Sequence, residues 1–105
     1  MPLTRRFKDT VKARAERDPK FRAALLKEAV ELMLAGDVET GKAVMRDYIN
    51  ATVGFEQLAR ETGTPAKSLM RMFGHNGNPR ASNLFAVINR LQKASKVRLE
   101  IAAGR

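Results

Sequence analysis

Apolar residues return at three- and four-residue steps along most of the chain, the spacing of helices that bury one face. Phe21, Leu25, Ala29, Leu32 and Met33 line one such face in a helix that starts after Asp18-Pro19 and runs to about Leu34. Asp caps exposed backbone N–H groups and proline is tolerated at the first helical position, so that dipeptide reads as a helix start. Gly36 ends this helix and Asp37 opens the next, where Val38, Val44, Met45, Tyr48, Ile49 and Thr52 form a second stripe that Gly54 interrupts. Toward the C-terminus Leu84, Val87, Ile88 and Leu91 form a further stripe, with Ser82 placed to cap it. Beyond it Val97, Leu99 and Ile101 alternate with Arg98 and Glu100, which suggests a short strand. A strand of that length needs a second one beside it, for which a second subunit is the candidate. The expected fold class is therefore all-α, with a possible short C-terminal strand.

Between Phe55 and Phe73 two short helical periods are broken by Gly63-Thr64-Pro65. Phe55, Leu58 and Ala59 supply the inner face of the first, with Glu56, Gln57 and Arg60 outward. Gly63 permits the left-handed residue that lets the chain reverse. Ala59 matters by its smallness, since the two helices of a helix-turn-helix cross closely. Leu69 and either Met72 or Phe73 anchor the second helix. Pro65, Ala66, Lys67, Ser68, Met70 and Arg71 are then left as candidates for its outward face, with Lys67 and Arg71 on one side of it. A helix that enters a major groove presents such residues to base edges: Arg or Lys donates to guanine, and small residues admit a thymine methyl. The same residues also fit a plain helical hairpin with solvated charges.

The run His75-Asn76-Gly77-Asn78-Pro79-Arg80 is a loop by its turn-forming residues, and it is expected to bring Arg80 toward the binding face. Asn side chains and backbone amides in such a loop can hold phosphate.

Charge supports a polyanionic partner. Twenty Lys and Arg residues against eleven Asp and Glu give a formal net charge of +9 in 105 residues, and each phosphate neutralised by a cation releases condensed counterions. The bases cluster: Arg5, Arg6, Lys8, Lys12, Arg14, Arg17, Lys20 and Arg22 lie in the first 22 residues. Acids dominate from 28 to 61, through Glu28, Glu31, Asp37, Glu39, Asp47, Glu56 and Glu61. Residues 1–18 form a basic N-terminal arm that orders on its partner, or a helix with Phe7 and Val11 inward. Residues 19–105 form one domain.

The absence of cysteine excludes disulfides and thiolate metal sites. The single histidine, His75, sits in the loop, so no metal site is expected and no cofactor is implied. No apolar run approaches the ~20 residues of a membrane span, and there is no secretory signal, so a cytoplasmic protein without a membrane partner is expected. With no metal-ligand cluster, no phosphate-cradling glycine loop and no nucleophile paired with a base, an enzyme is not expected.

The run Gln57-Leu58-Ala59-Arg60-Glu61-Thr62-Gly63, then Lys67-Ser68-Leu69, then Gly77-Asn78-Pro79 and a closing apolar helix resembles the lambda-repressor-like (Xre) helix-turn-helix proteins. Within them it resembles the addiction-module antidote branch, the HigA-type antitoxins. The resemblance is best over residues 55 to 91. It departs from the family pattern at Phe55, where many members have a phosphate-contacting glutamine, and at Pro65, where Ser or Thr commonly caps the second helix. The resemblance implies a compact bundle of about five helices, repressor-like binding of double-stranded DNA, and a toxin partner of the RelE/ParE type.

On this reading the chain is a sequence-specific transcriptional regulator, the antitoxin and autorepressor of a toxin-antitoxin module, and it acts as a homodimer because one helix-turn-helix reads too few base pairs. Ala66, Lys67, Ser68, Met70 and Arg71 read bases, while Gln57, Asn76, Asn78 and Arg80 hold phosphates. The acidic middle, around Glu28, Glu31, Asp37, Glu39 and Asp47, would receive a basic toxin. The alternatives are a stand-alone repressor and a nonspecific nucleic-acid-binding protein with no toxin partner.

Overall fold

In a computed structural model, residues 5–104 are described, with side chains from residue 9 onward. Six helices carry the described chain: α1 (Arg5–Arg17), α2 (Pro19–Leu34), α3 (Val38–Ala51), α4 (Gly54–Thr62), α5 (Ala66–Met72) and α6 (Ala81–Ser95). The class is all-α, and no helix among the described residues is long and apolar enough to cross a membrane.

The two aspartates act as the sequence predicts. Asp18 accepts from the backbone N–H groups of Lys20 and Phe21, and Asp37 from that of Thr40. Each cap satisfies donors that the first helical turn leaves without an intrahelical partner.

Helices α2 and α3 pack as an antiparallel pair, and α1 packs on both. Ala15 of α1 is fully buried. The Arg22 guanidinium donates to the carbonyl of Ala15 at 2.6 Å, and the Arg14 guanidinium lies over the Phe21 ring, 4.6 Å from its centre. Segment 5–17 is thus a helix joined to the main body by its C-terminal end. Val11 is half-buried, in keeping with an inward position, while Phe7 lies outside the described side chains.

The core is shared by five elements: Leu26 and Ala29 from α2, Met45, Tyr48 and Ile49 from α3, Phe55 and Leu58 from α4, Leu69 from α5, and Val87, Ile88 and Leu91 from α6. Phe73 and Val97 close it from the segments that follow α5 and α6. Burying a side chain of the Leu or Phe size contributes about 1.5–3 kcal/mol. Leu26, absent from the stripe predicted for α2, is fully buried, whereas Phe21, Leu25, Leu32 and Met33 are only half-buried. The face is therefore rotated toward α3. Val38 is exposed because it is the first residue of α3 and lies beyond the reach of the core.

Two further expectations are corrected. Ser82 does not cap α6: the helix begins at Ala81 and Arg80 occupies the cap position with extended backbone and no side-chain bond. Residues 97–101 form no strand. Lys96 takes a left-handed conformation (φ 55°), and the N–H of Val97 donates back to the Gln92 carbonyl at 2.9 Å, closing a Schellman motif. The Gln92 side chain then accepts from the Leu99 N–H at 2.8 Å. The tail is held along α6 by these bonds instead of pairing with another strand, and Ile101 points into solvent.

Candidate nucleic-acid interface

Helices α4 and α5 form the predicted pair. Gly63 ends α4 in a left-handed conformation (φ 75°) and its N–H donates to the Ala59 carbonyl, so the chain reverses where the sequence places the turn. Pro65 follows at the cap position of α5 and contributes no capping side chain. Phe55 is buried and anchors α4 in the core. Ala59 is half-buried against that core.

Helix α5 has two distinct sides. Leu69 and then Phe73 are almost completely buried and pin it down, and Met72 packs beside them. Lys67, Met70 and Arg71 are exposed and, at steps of three and four, share one outward face. Neither the Lys67 nor the Arg71 side chain has a hydrogen bond or ion pair with any described residue, although the Arg71 carbonyl accepts from the Gly74 N–H. Ala66 and Ser68 stand differently. Both are half-buried at the flanks of that face, and Ala66 packs against the core. Of the five residues predicted to read bases, three are therefore open to solvent.

The four predicted phosphate contacts are all exposed. Gln57, on the outer side of α4, donates its amide to Glu61 at 2.9 Å. Glu61 in turn accepts from Arg90 at 2.9 Å, tying α4 to α6. The Gln57 amide and then the Arg90 guanidinium hold the Glu61 carboxyl below its ordinary titration range. Asn76, Asn78 and Arg80 lie on the connection between α5 and α6, and their side chains make no hydrogen bond with any described residue, while the Arg80 carbonyl accepts from the Leu84 N–H at 2.9 Å.

That connection has a rigid inner side which the sequence pattern did not reveal. Lys42 of α3 is buried, with 2% of its side chain exposed. It donates to the carbonyls of Gly74 (3.0 Å) and Gly77 (2.6 Å), and it contacts the Glu39 carboxylate at 2.7 Å. Arg46, one turn further along α3, donates to the Phe73 carbonyl at 3.3 Å. A Cβ at Gly77 would overlap the carbonyl oxygens of Arg71 and Met72, so only glycine allows the loop to pass this close to the end of α5. The signal for Lys42 was a cation on a stripe, at a helical step between Val38 and Met45.

The predicted acidic surface is partly engaged in structure. Asp37 caps α3, and Glu39 holds Lys42 while its other oxygen lies 3.6 Å from Nδ1 of the exposed His75. Glu28 and Glu31 remain exposed on α2.

No family model matches the chain, and neither the curated proteins nor the solved structures yield a significant match.

Proposed function

We propose that the chain is a sequence-specific DNA-binding regulator that enters the major groove with the outward face of α5. The observation that carries this reading is the division of α5. One side is fixed in the core by Leu69 and Phe73, while the other presents Lys67, Met70 and Arg71 without internal partners. In this arrangement Arg71 and Lys67 donate to base edges, and Met70 offers an apolar surface to a thymine methyl. Arg80, Asn78 and Asn76 face the phosphates that flank the groove, and the net charge of +9 drives association. The likeness to Xre-type antidotes over residues 55 to 91 supports the same reading.

The regulator acts as a homodimer, since two copies read enough base pairs for genomic specificity. Residues 81–89 contain no charge and leave Phe85 63% exposed. Two molecules of like net charge approach there with least repulsion.

Selection of duplexes from a random pool tests the proposal. Enrichment of a two-fold symmetric sequence, bound far more tightly than its scrambled form, is expected. A pool that stays random would leave only nonspecific binding.

A role as the antidote of a toxin is a second reading, favoured by one feature. At the turn between α2 and α3, Leu34 and Val38 are exposed next to Glu31. An apolar patch with an acidic neighbour suits a basic protein partner, and co-purification of a small basic protein encoded beside this gene tests it.

A further inference from the structure

We infer that Lys42 is a positioning residue for DNA binding: its buried ammonium fixes the loop that carries Asn76, Asn78 and Arg80 to the phosphates. The inference rests on the DNA-binding reading above and adds to it a residue that touches no DNA.

An ammonium group has three N–H donors, and the environment of Lys42 supplies three acceptors within hydrogen-bonding distance: the Gly74 carbonyl, the Gly77 carbonyl and the Glu39 carboxylate. The donors are used up, so the group has no spare capacity for a ligand, and its near-complete burial keeps one away. A lysine that only solubilised the surface would extend into water, as Lys67 does. Burying a charged amine is costly unless each donor is met, and here the acceptors come from a loop 32 and 35 residues away in sequence.

The two carbonyls bracket the turn. Gly74 accepts also from the Gly77 N–H at 3.0 Å, so Lys42 grips a closed turn at both of its ends. Asn76 lies within this turn. Asn78, Pro79 and Arg80 follow it and lead directly into α6. On the other side, the Gly74 N–H donates to the Arg71 carbonyl at 3.1 Å, which continues the grip into the end of α5. One cation on α3 thus sets the path of the chain between the last residue of the proposed reading face and the first of the proposed phosphate contacts. A loop so held loses little conformational entropy when it meets DNA, and that lowers the cost of binding.

The test uses the full chain in three variants. Lys42→Met keeps the apolar stem and removes all three donors. Lys42→Arg restores donors in a different geometry. Glu39→Gln weakens one of the three contacts at an exposed position and keeps the inference testable if Lys42→Met fails to fold. Amide exchange at residues 74 to 78 is measured by NMR without DNA, and affinity for the duplex selected from the random pool is measured as a function of salt.

The expected result is faster exchange at Gly77 in Lys42→Met and Glu39→Gln while amides of the α3 and α6 core stay protected. Affinity for the selected duplex falls roughly tenfold in Lys42→Met, the loss of about one charge-assisted bond to phosphate. The salt dependence becomes shallower, and Lys42→Arg recovers part of both. A purely structural role would lower stability without changing the salt slope of the folded fraction. Unchanged loop exchange in a folded Glu39→Gln or Lys42→Met overturns the grip itself. A loosened loop with unchanged affinity and salt slope overturns its role in binding. A wild-type chain that binds no duplex overturns the DNA-binding reading and this role with it, while the exchange data still report on the grip.

Discussion

Lys42 and Lys67 are the same residue type put to opposite uses. The first is buried on α3 with three acceptors around its ammonium, and the second extends from α5 into solvent with no partner in the described chain. A buried cation must be satisfied internally and so becomes part of the architecture. An exposed one keeps its donors free for a ligand. The contrast extends to the elements that carry them: the inner side of residues 73–77 is held by α3, while the outer faces of α5 and residues 78–80 are left open. Net charge alone does not distinguish the two roles. Location does.

Substitutions on the two sides of α5 should have very different effects on stability. Phe73→Ala removes a fully buried ring that anchors the end of the helix, and should cost about 3–5 kcal/mol in chemical denaturation. Met70→Ala, on the open side, should change stability by less than about 0.5 kcal/mol. Equal effects would show that α5 has no distinct inner and outer face.

Next in size, Arg71→Ala should weaken binding of the selected duplex by about 1–3 kcal/mol and relax the preference at one base pair, with the melting temperature unchanged. Arg80→Ala should weaken all sequences alike and reduce the salt slope by about 1 in a titration followed by fluorescence anisotropy. If both variants lose equally on selected and random DNA, the division between base reading and phosphate contact is wrong.

The smallest effect concerns Glu61, which belongs to the frame. Its carboxyl is held below its ordinary range by the Gln57 amide and then by Arg90. A lowered folded-state value stabilises the fold above the ordinary glutamate range, and this contribution disappears as pH falls through the lowered value. Denaturation profiles between about pH 6 and about pH 3 should therefore be slightly less acid-sensitive in Glu61→Gln than in wild type. A steeper acid dependence in the variant would contradict the assignment.

Local signals account for most of the fold that the sequence reveals. Asp18, Asp37 and Gly63 act within a few residues of their own position, so a reading of neighbours suffices to place them. The inner residues Leu58, Leu69, Val87 and Leu91 follow from helical spacing. The reading fails where distant chain segments decide the outcome. Lys42 is buried because loop carbonyls 32 and 35 residues later turn toward it, and periodicity contains no information about them. The alternation at 97–101 resembles a strand, but the Gln92 carbonyl and side chain use the N–H groups of Val97 and Leu99 that a strand would need. Spacing puts Ala66 and Ser68 on the open face with their neighbours, but both are half-buried. A helix of seven residues has a narrow open side, and the core takes up part of the rest.

Whether the outward face of α5 meets the DNA is decided by an NMR titration of the full chain with the selected duplex. The largest amide shifts should fall at Lys67, Met70 and Arg71 and at Asn76, Asn78 and Arg80, with α2 nearly silent. Shifts confined to α1 and α2, with α5 unmoved at saturation, would contradict it.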